Sequence, residues 1–296
     1  MIIKKSVSTL PILALLAGLL ISCTPKTEDQ TNSATTERSE SPQLVTITTA
    51  DFTFLDVPDS VSAGLTTFRI KNEGLYPHNA GLVHISDGHT YEELMQYMGE
   101  NMGGYPGWAT LLGGPSAPIS GEESEATLDL IPGNYAIVCG VPVPAAEPHF
   151  MKGMTRPLTV TDTGNDNSKA PEADITMNMD DYSFGVSEEI TAGRQTIEVK
   201  NEASQPHEFI LAKLEKGKTL DDMMNWLGEV ITGEVGPLPT APGIFLNGVS
   251  PMDKGVTNYI AVNFEPGEYA LICPYPDEQS GNPHFMHGMM QQFRVK

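Results

Sequence analysis

The chain repeats itself, and that constrains its fold more than any other feature. Asp51-Phe52-Thr53-Phe54 returns as Asp181-Tyr182-Ser183-Phe184, Ala63-Gly64 as Ala192-Gly193, and Lys71-Asn72-Glu73 as Lys200-Asn201-Glu202. Pro77-His78, Gly88-His89-Thr90 and Gly99-Glu100 return 129 positions later as Pro206-His207, Gly217-Lys218-Thr219 and Gly228-Glu229. Further on, Pro132-Gly133-Asn134-Tyr135 matches Pro266-Gly267-Glu268-Tyr269, and Cys139 matches Cys273. Self-similarity at a near-constant offset means that one structural unit is used twice. The repeat predicts two copies of one domain, residues 44–162 and 174–296, with the polar stretch 163–173 as a linker.

Each copy reads as strands. Residues 44–48, 66–70, 126–130 and 135–139 alternate apolar with polar side chains or run β-branched, and 174–177, 195–199, 258–264 and 269–273 do so in the second copy. One helix interrupts each set. Thr90 with Glu93, and Thr219 with Asp222, place a hydroxyl and an acid at capping-box spacing. Behind them Leu94, Met95 and Met98, like Met223, Met224 and Leu227, supply an apolar face suited to core packing. With 28 Gly and 23 Pro the chain is also rich in turn residues. The prediction is an all-β fold of two tandem sandwiches, each with a short inserted helix.

The first 43 residues stand apart. Lys4 and Lys5 precede an apolar run from Leu10 to Ile21, which closes with Leu20-Ile21-Ser22-Cys23. That run is short for a membrane span, which takes about 20 helical residues. The segment resembles a lipoprotein signal peptide (1–22) with Cys23 as the lipidated residue, followed by a polar, flexible tether (23–43). Its implication is a lipid-anchored protein on the periplasmic or extracellular face of the cell envelope. Seventeen Lys and Arg against 38 Asp and Glu give a net charge of −21, which speaks against nucleic acid as a partner.

The chemistry sits at the end of each copy. Pro148-His149-Phe150-Met151-Lys152-Gly153-Met154 aligns with Pro283-His284-Phe285-Met286-His287-Gly288-Met289, each after a strand ending in a lone Cys. With His78 and His207 upstream, the copies offer His78, Cys139, His149, Met154 and His207, Cys273, His284, Met289 as metal ligands. Two imidazoles and a thiolate with a weak axial thioether suit a type 1 copper site, where soft sulfur favours Cu(I) and imidazole accepts Cu(II). His84, His89 and His287 have no counterpart histidine in the other copy and fall outside the shared set. A disulfide between Cys139 and Cys273 requires the two sites to face each other.

In this order and spacing the sequence resembles the cupredoxins, in particular the plastocyanin-like group with Gly-x-Tyr, Cys, Pro-His and Gly-Met in sequence. Gly133-Asn134-Tyr135, Cys139, Pro148-His149 and Gly153-Met154 carry the likeness, as do Gly267-Glu268-Tyr269, Cys273, Pro283-His284 and Gly288-Met289. The resemblance implies Greek-key cupredoxin-like sandwiches, one copper per domain where the site is competent, and single-electron transfer to redox partner proteins, basic ones being favoured by the acidic surface. It also implies an exposed edge of His149 or His284 as the electron port. One departure stands out: nine residues separate Cys139 from His149 and ten separate Cys273 from His284, where the family has only a few. A copper carrier or storage lipoprotein, and a metal-free cupredoxin-like binding module, remain the alternatives. Multicopper oxidase is disfavoured because no His-x-His pair occurs. Copper nitrite reductase is disfavoured because Gly140 and Pro274, not histidines, follow the cysteines.

Overall fold

The computed structural model describes residues 41–163, 168–234 and 236–296. The expected signal peptide, Cys23 and most of the tether lie outside the described residues. Among the described residues no helix is long and apolar enough to cross a membrane.

The first half runs β1 (Gln43–Ala50), β2 (Thr53–Leu55), β3 (Ser60–Ser62), β4 (Gly64–Asn72), β5 (Gly81–Ile85), α1 (Tyr91–Glu100), β6 (Ala109–Leu111), β7 (Glu123–Leu130), β8 (Gly133–Val138) and β9 (Thr155–Thr161). The second half runs β10 (Ile175–Asp180), β11 (Ser183–Val186), β12 (Gly193–Asn201), β13 (His207–Leu214), α2 (Leu220–Thr232), β14 (Gly243–Met252), β15 (Thr257–Phe264), β16 (Gly267–Ile272) and β17 (Met290–Val295). Strands β2-β1-β4-β7 face a second sheet, β3-β9-β8-β5-β6; in the second half β11-β10-β12-β15 faces β14-β13-β16-β17. In both halves the first strand lies parallel to a later long one, β1 to β4 and β10 to β12.

Alternation explains the burial. Val45 and Ile47 of β1, Phe68 and Ile70 of β4, and Leu128 and Leu130 of β7 point inward onto Leu82, Tyr135, Ile137 and Leu158. Ile175, Met177, Ile197, Val199, Ile260 and Val262 do the same against Phe209, Leu211, Tyr269 and Leu271. The second sheet of each half is apolar on both faces, so its outer face needs a cover. In the first half Leu94 and Met98 of α1 pack on Val83, Ile85, Ala136 and Val138. In the second, Met223, Trp226, Leu227 and Val230 of α2 pack on Ile210, Ala212, Ala270 and Ile272. Both capping boxes form, with Thr90 accepting from Glu93 N and Thr219 from Asp222 N.

The two halves share one eight-stranded sheet, joined where Tyr259 of β15 pairs with Thr127 of β7. Just upstream, isolated bridges link Leu112 to Met252 and Pro115 to Val249. The copies are offset by 134 positions here, as Pro132 and Pro266 show. Pro115 therefore faces its own counterpart, and Tyr259 is the counterpart of Glu125, two residues from Thr127. The join thus has an approximate two-fold axis. Three polar pairs cross the join: Gly114 N donates to Asn258 Oδ1 at 2.8 Å, Asn258 Nδ2 to Leu112 O at 2.8 Å, and Ser124 Oγ to Asn247 Oδ1 at 2.7 Å.

Candidate metal centres

In each half the backbone ties three of the expected ligands together before any side chain is considered. Cys139 N donates to Met154 O, Phe150 N to Cys139 O, and Met154 N to His149 O, at 2.9–3.1 Å. Cys273, Phe285, Met289 and His284 repeat the pattern at 2.9–3.1 Å. The single 3₁₀ turn that carries each downstream histidine (His149–Lys152 and His284–His287) ends on a left-handed glycine, Gly153 at φ 94° and Gly288 at φ 102°. A side chain resists that conformation, which accounts for Gly in both copies. The upstream histidine is set by a buried asparagine: Asn72 Nδ2 donates to Tyr76 O and Pro118 O, and Asn201 Nδ2 to Gln205 O and Met252 O, at 2.7–3.0 Å.

The side chains then converge. Cys139 Sγ lies 4.0 Å from His78 Nδ1 and 3.4 Å from His149 Nδ1, and the two imidazole nitrogens are 3.0 Å apart. Cys273 Sγ lies 3.7 Å from His207 Nδ1 and 3.4 Å from His284 Nδ1. Each His-Cys-His trio keeps its donor atoms within 4.8 Å of one another. A first-row metal bonded trigonally at about 2.0 Å to nitrogen and 2.3 Å to sulfur would separate its donors by roughly 3.5–3.7 Å. The observed spacings bracket that figure, so the trios fit such an ion. Met154 and Met289 are fully buried in the same apolar clusters as their cysteines. His84, His89 and His287 take no part in either trio. Both cysteines are free thiols.

Burial governs the protonation of the donors. It lowers His78 and His284 from 6.5 to about 4 and lowers His149 and His207 as well, so all four imidazoles are neutral and able to ligate. It pushes the Cys139 thiol up to about 12, and Cys273 upward too. A metal entering either trio therefore displaces a thiol proton.

The expectation of an exposed imidazole edge is corrected: His78, His149, His207 and His284 are all 0% exposed. The long Cys-to-His loops are the physical reason. In the first half the loop folds back so that His149 Nε2 is hydrogen-bonded to Val143 O. In the second, His284 N donates to Tyr275 O at 2.8 Å and Pro276 bridges to Pro283, closing the loop over the ring.

Sequence reading missed the residues that hold the rings from behind. Asp51 Oδ1 lies 3.4 Å from His78 Nε2, and Asp181 Oδ1 lies 3.7 Å from His207 Nε2. The next residue, Phe52 or Tyr182, sits at φ 63° or 62° and turns its ring onto the other histidine. Phe52 meets His149 edge-on at 5.0 Å and Tyr182 meets His284 at 5.5 Å between centroids. An aromatic side chain in the left-handed region is strained, and here both copies hold that strain at the site. The duplicated Asp-aromatic pair was the available signal.

One position separates the copies. Asn79 Oδ1 accepts from Gly140 N at 2.9 Å, bracing the residue after Cys139. The counterparts are Glu208 and Pro274, and proline has no N–H to give. Burial raises the Glu208 carboxyl to about 8.

No protein-family model matches the chain, and no curated protein matches it. Solved structures do. The reduced auracyanin of the photosynthetic bacterium Roseiflexus castenholzii is 16% identical, over 41% of this chain and 98% of that one, with a TM-score of 0.30. Auracyanin A of Chloroflexus aurantiacus, described as a blue copper protein, is 20% identical over 40% and 99%, with a TM-score of 0.28. A multicopper oxidase is 14% identical over 86% and 88%, with a TM-score of 0.24. By its own strand order and the order of His, Cys and His along it, each half of this chain is a cupredoxin-like β-sandwich enclosing one buried His, Cys, His trio.

Proposed function

We propose that each half binds one copper ion and that the chain carries single electrons. The observation that carries this reading is the convergence of two neutral imidazoles and a thiol in each half, with a buried methionine beside them. Bound copper would supply a one-electron couple that this ligand set tolerates in both oxidation states. The chain's contribution is rigidity: backbone hydrogen bonds fix Cys, His and Met relative to one another, and the covering loops keep water out. Because those loops cover both imidazoles, electrons would cross loop residues to reach a partner.

The sequence features of residues 1–43 support tethering of this unit to a membrane through a lipid on Cys23, in the cell envelope. The net charge of −21 supports basic redox partner proteins, met by electrostatic steering. A copper carrier is the second reading. It is favoured by Met151, Met286 and Met290, residues 42%, 65% and 38% exposed next to the sites in sequence. Loading the full-length chain in detergent with Cu(II) tests both. Electron transfer expects an intense thiolate-to-copper visible band, with Cys139→Ser and Cys273→Ser each removing one site's share. A colourless protein, or copper unaffected by either substitution, refutes it.

A further inference from the structure

Between the two halves lies a cleft of about 760 Å³. It touches the chain on either side of both metal trios, with Asn79, Gly140 and Pro148 flanking the first and Glu208, Pro274 and Pro283 the second. Its walls are of one electrical sign. Glu208, Asp253, Asp277 and Glu278 line it, and no Lys, Arg or His does so among the described residues. The rest is largely apolar, with the aromatic rings of Tyr105, Phe150, Trp226 and Tyr275.

Among the polar side chains of this wall that lack partners, Ser116 and Glu208 are withdrawn from solvent. Ser116 is 2% exposed and its Oγ has no hydrogen bond. Glu208 is half-buried, and its carboxylate has no hydrogen-bond or ion-pair partner among the described residues. By contrast Asp253 accepts from Leu111 N, and Asp277 accepts from Tyr182, Gln205 and Ser280. The repeat shows what changed. At the equivalent place in the first half Asn79 is spent on Gly140 N, whereas Pro274 leaves Glu208 free to face the cleft. Without a partner, burial favours the neutral form of this carboxyl, and an adjacent cation relieves the cost of ionising it.

We infer that this cleft binds a small organic cation with an apolar body, with Glu208 as its counter-charge and the aromatic rings around its hydrocarbon. An ammonium group also gains from the ring faces. The volume is that of an ordinary small-molecule site, for which about 300–1,000 Å³ is typical. A bare metal ion fits less well. Among the described residues the only trios of His, Cys, Asp or Glu close enough to share an ion are the two His-Cys-His groups. This inference does not depend on copper.

The test uses the metal-free full-length chain carrying Trp108→Phe, which leaves Trp226 in the cleft wall as the reporter. Phenethylammonium, 2-phenylethanol and phenylacetate are titrated at equal ionic strength while Trp226 fluorescence is followed. The cation should bind at least about tenfold more tightly than the neutral alcohol, and phenylacetate more weakly still. Glu208→Gln, with unchanged thermal unfolding, should abolish the preference between cation and alcohol. Equal affinity for the three probes, no binding of phenethylammonium, or a preference that survives Glu208→Gln would each overturn the assignment. The probe series on the unsubstituted cleft stands even if the Gln variant misfolds.

Discussion

Asp51 offers a sharp test of how the first trio is held. Its Oδ1 accepts from Leu75 N at 2.7 Å and Tyr76 N at 3.1 Å and lies 3.4 Å from His78 Nε2. Replacement by Ala removes two bonds from backbone N–H to an ionised acceptor, worth about 1.5 kcal/mol each when sheltered. The Asp51 side chain is 35% exposed, so solvent reduces the sum to about 2 kcal/mol. It also frees the far side of the His78 ring, and loss of such an outer support typically costs about 10–100-fold in metal affinity. Asp51→Asn keeps an acceptor for both N–H groups and should lose less than about 1 kcal/mol. Gly74→Ala reaches the same contact without altering either partner, since its Cβ would lie 2.6 Å from Asp51 Oδ1 and 2.8 Å from His78 Nε2. The second half already has Ala203 at that place, and its carboxylate-to-imidazole distance is longer, at 3.7 Å. Guanidinium unfolding of the metal-free chain, with competitive copper titration against a chromophoric chelator, reads both effects. An Asp51→Ala protein that unfolds at the same denaturant concentration and binds copper equally well in its first site would refute the reasoning.

Met154→Leu should leave copper in the first site and raise its reduction potential, because a weak electron-donating axial ligand is lost. Voltammetry checks this, and loss of Cu(I) from an otherwise folded protein would favour the carrier reading. Acid should destabilise the metal-free chain. Unfolded histidines protonate near 6.5 whereas His78 and His284 stay neutral down to about 4, so the unfolded state binds more protons between these values and stability falls as pH drops from 7 to 5. The loss is about 2 kcal/mol per histidine; a denaturant midpoint that stays flat across this window contradicts it. Asn258→Ala, which orphans Gly114 N and Leu112 O at the join, should cost about 2–3 kcal/mol in global unfolding.

Strands on half-buried sheets were legible because their side chains alternate, as in 66–70 and 195–199. Strands β5 and β13 were not, since Gly81–Ile85 and Phe209–Leu214 are near-continuous apolar runs buried on both faces, whose period carries no signal. The trios were legible because the order His, Cys, His recurs in both copies, with a Met five residues after the last His each time. The fate of the imidazole edge was not, because it depends on how the Cys-to-His loops fold back, and loop length alone does not say. Asp51 and Asp181 stood in plain view inside the repeat. Nothing local marks their carboxylates as facing a histidine about 26 residues further on, since that contact comes from the parallel pairing of β1 with β4 and β10 with β12.

The near-symmetric join has a consequence for divergence. A pair of identical subunits related by a two-fold axis must accept every substitution twice, once on each side of the axis. This chain keeps the geometry of such a pair but encodes its sides separately, since Pro115 answers Val249 and Asn79 answers Glu208. A change that would be ruinous when doubled can then be taken on one side while the other keeps its original bracing. Fusion into one polypeptide gives the molecule two His, Cys, His pockets that are free to drift apart in strength and purpose without the assembly coming undone.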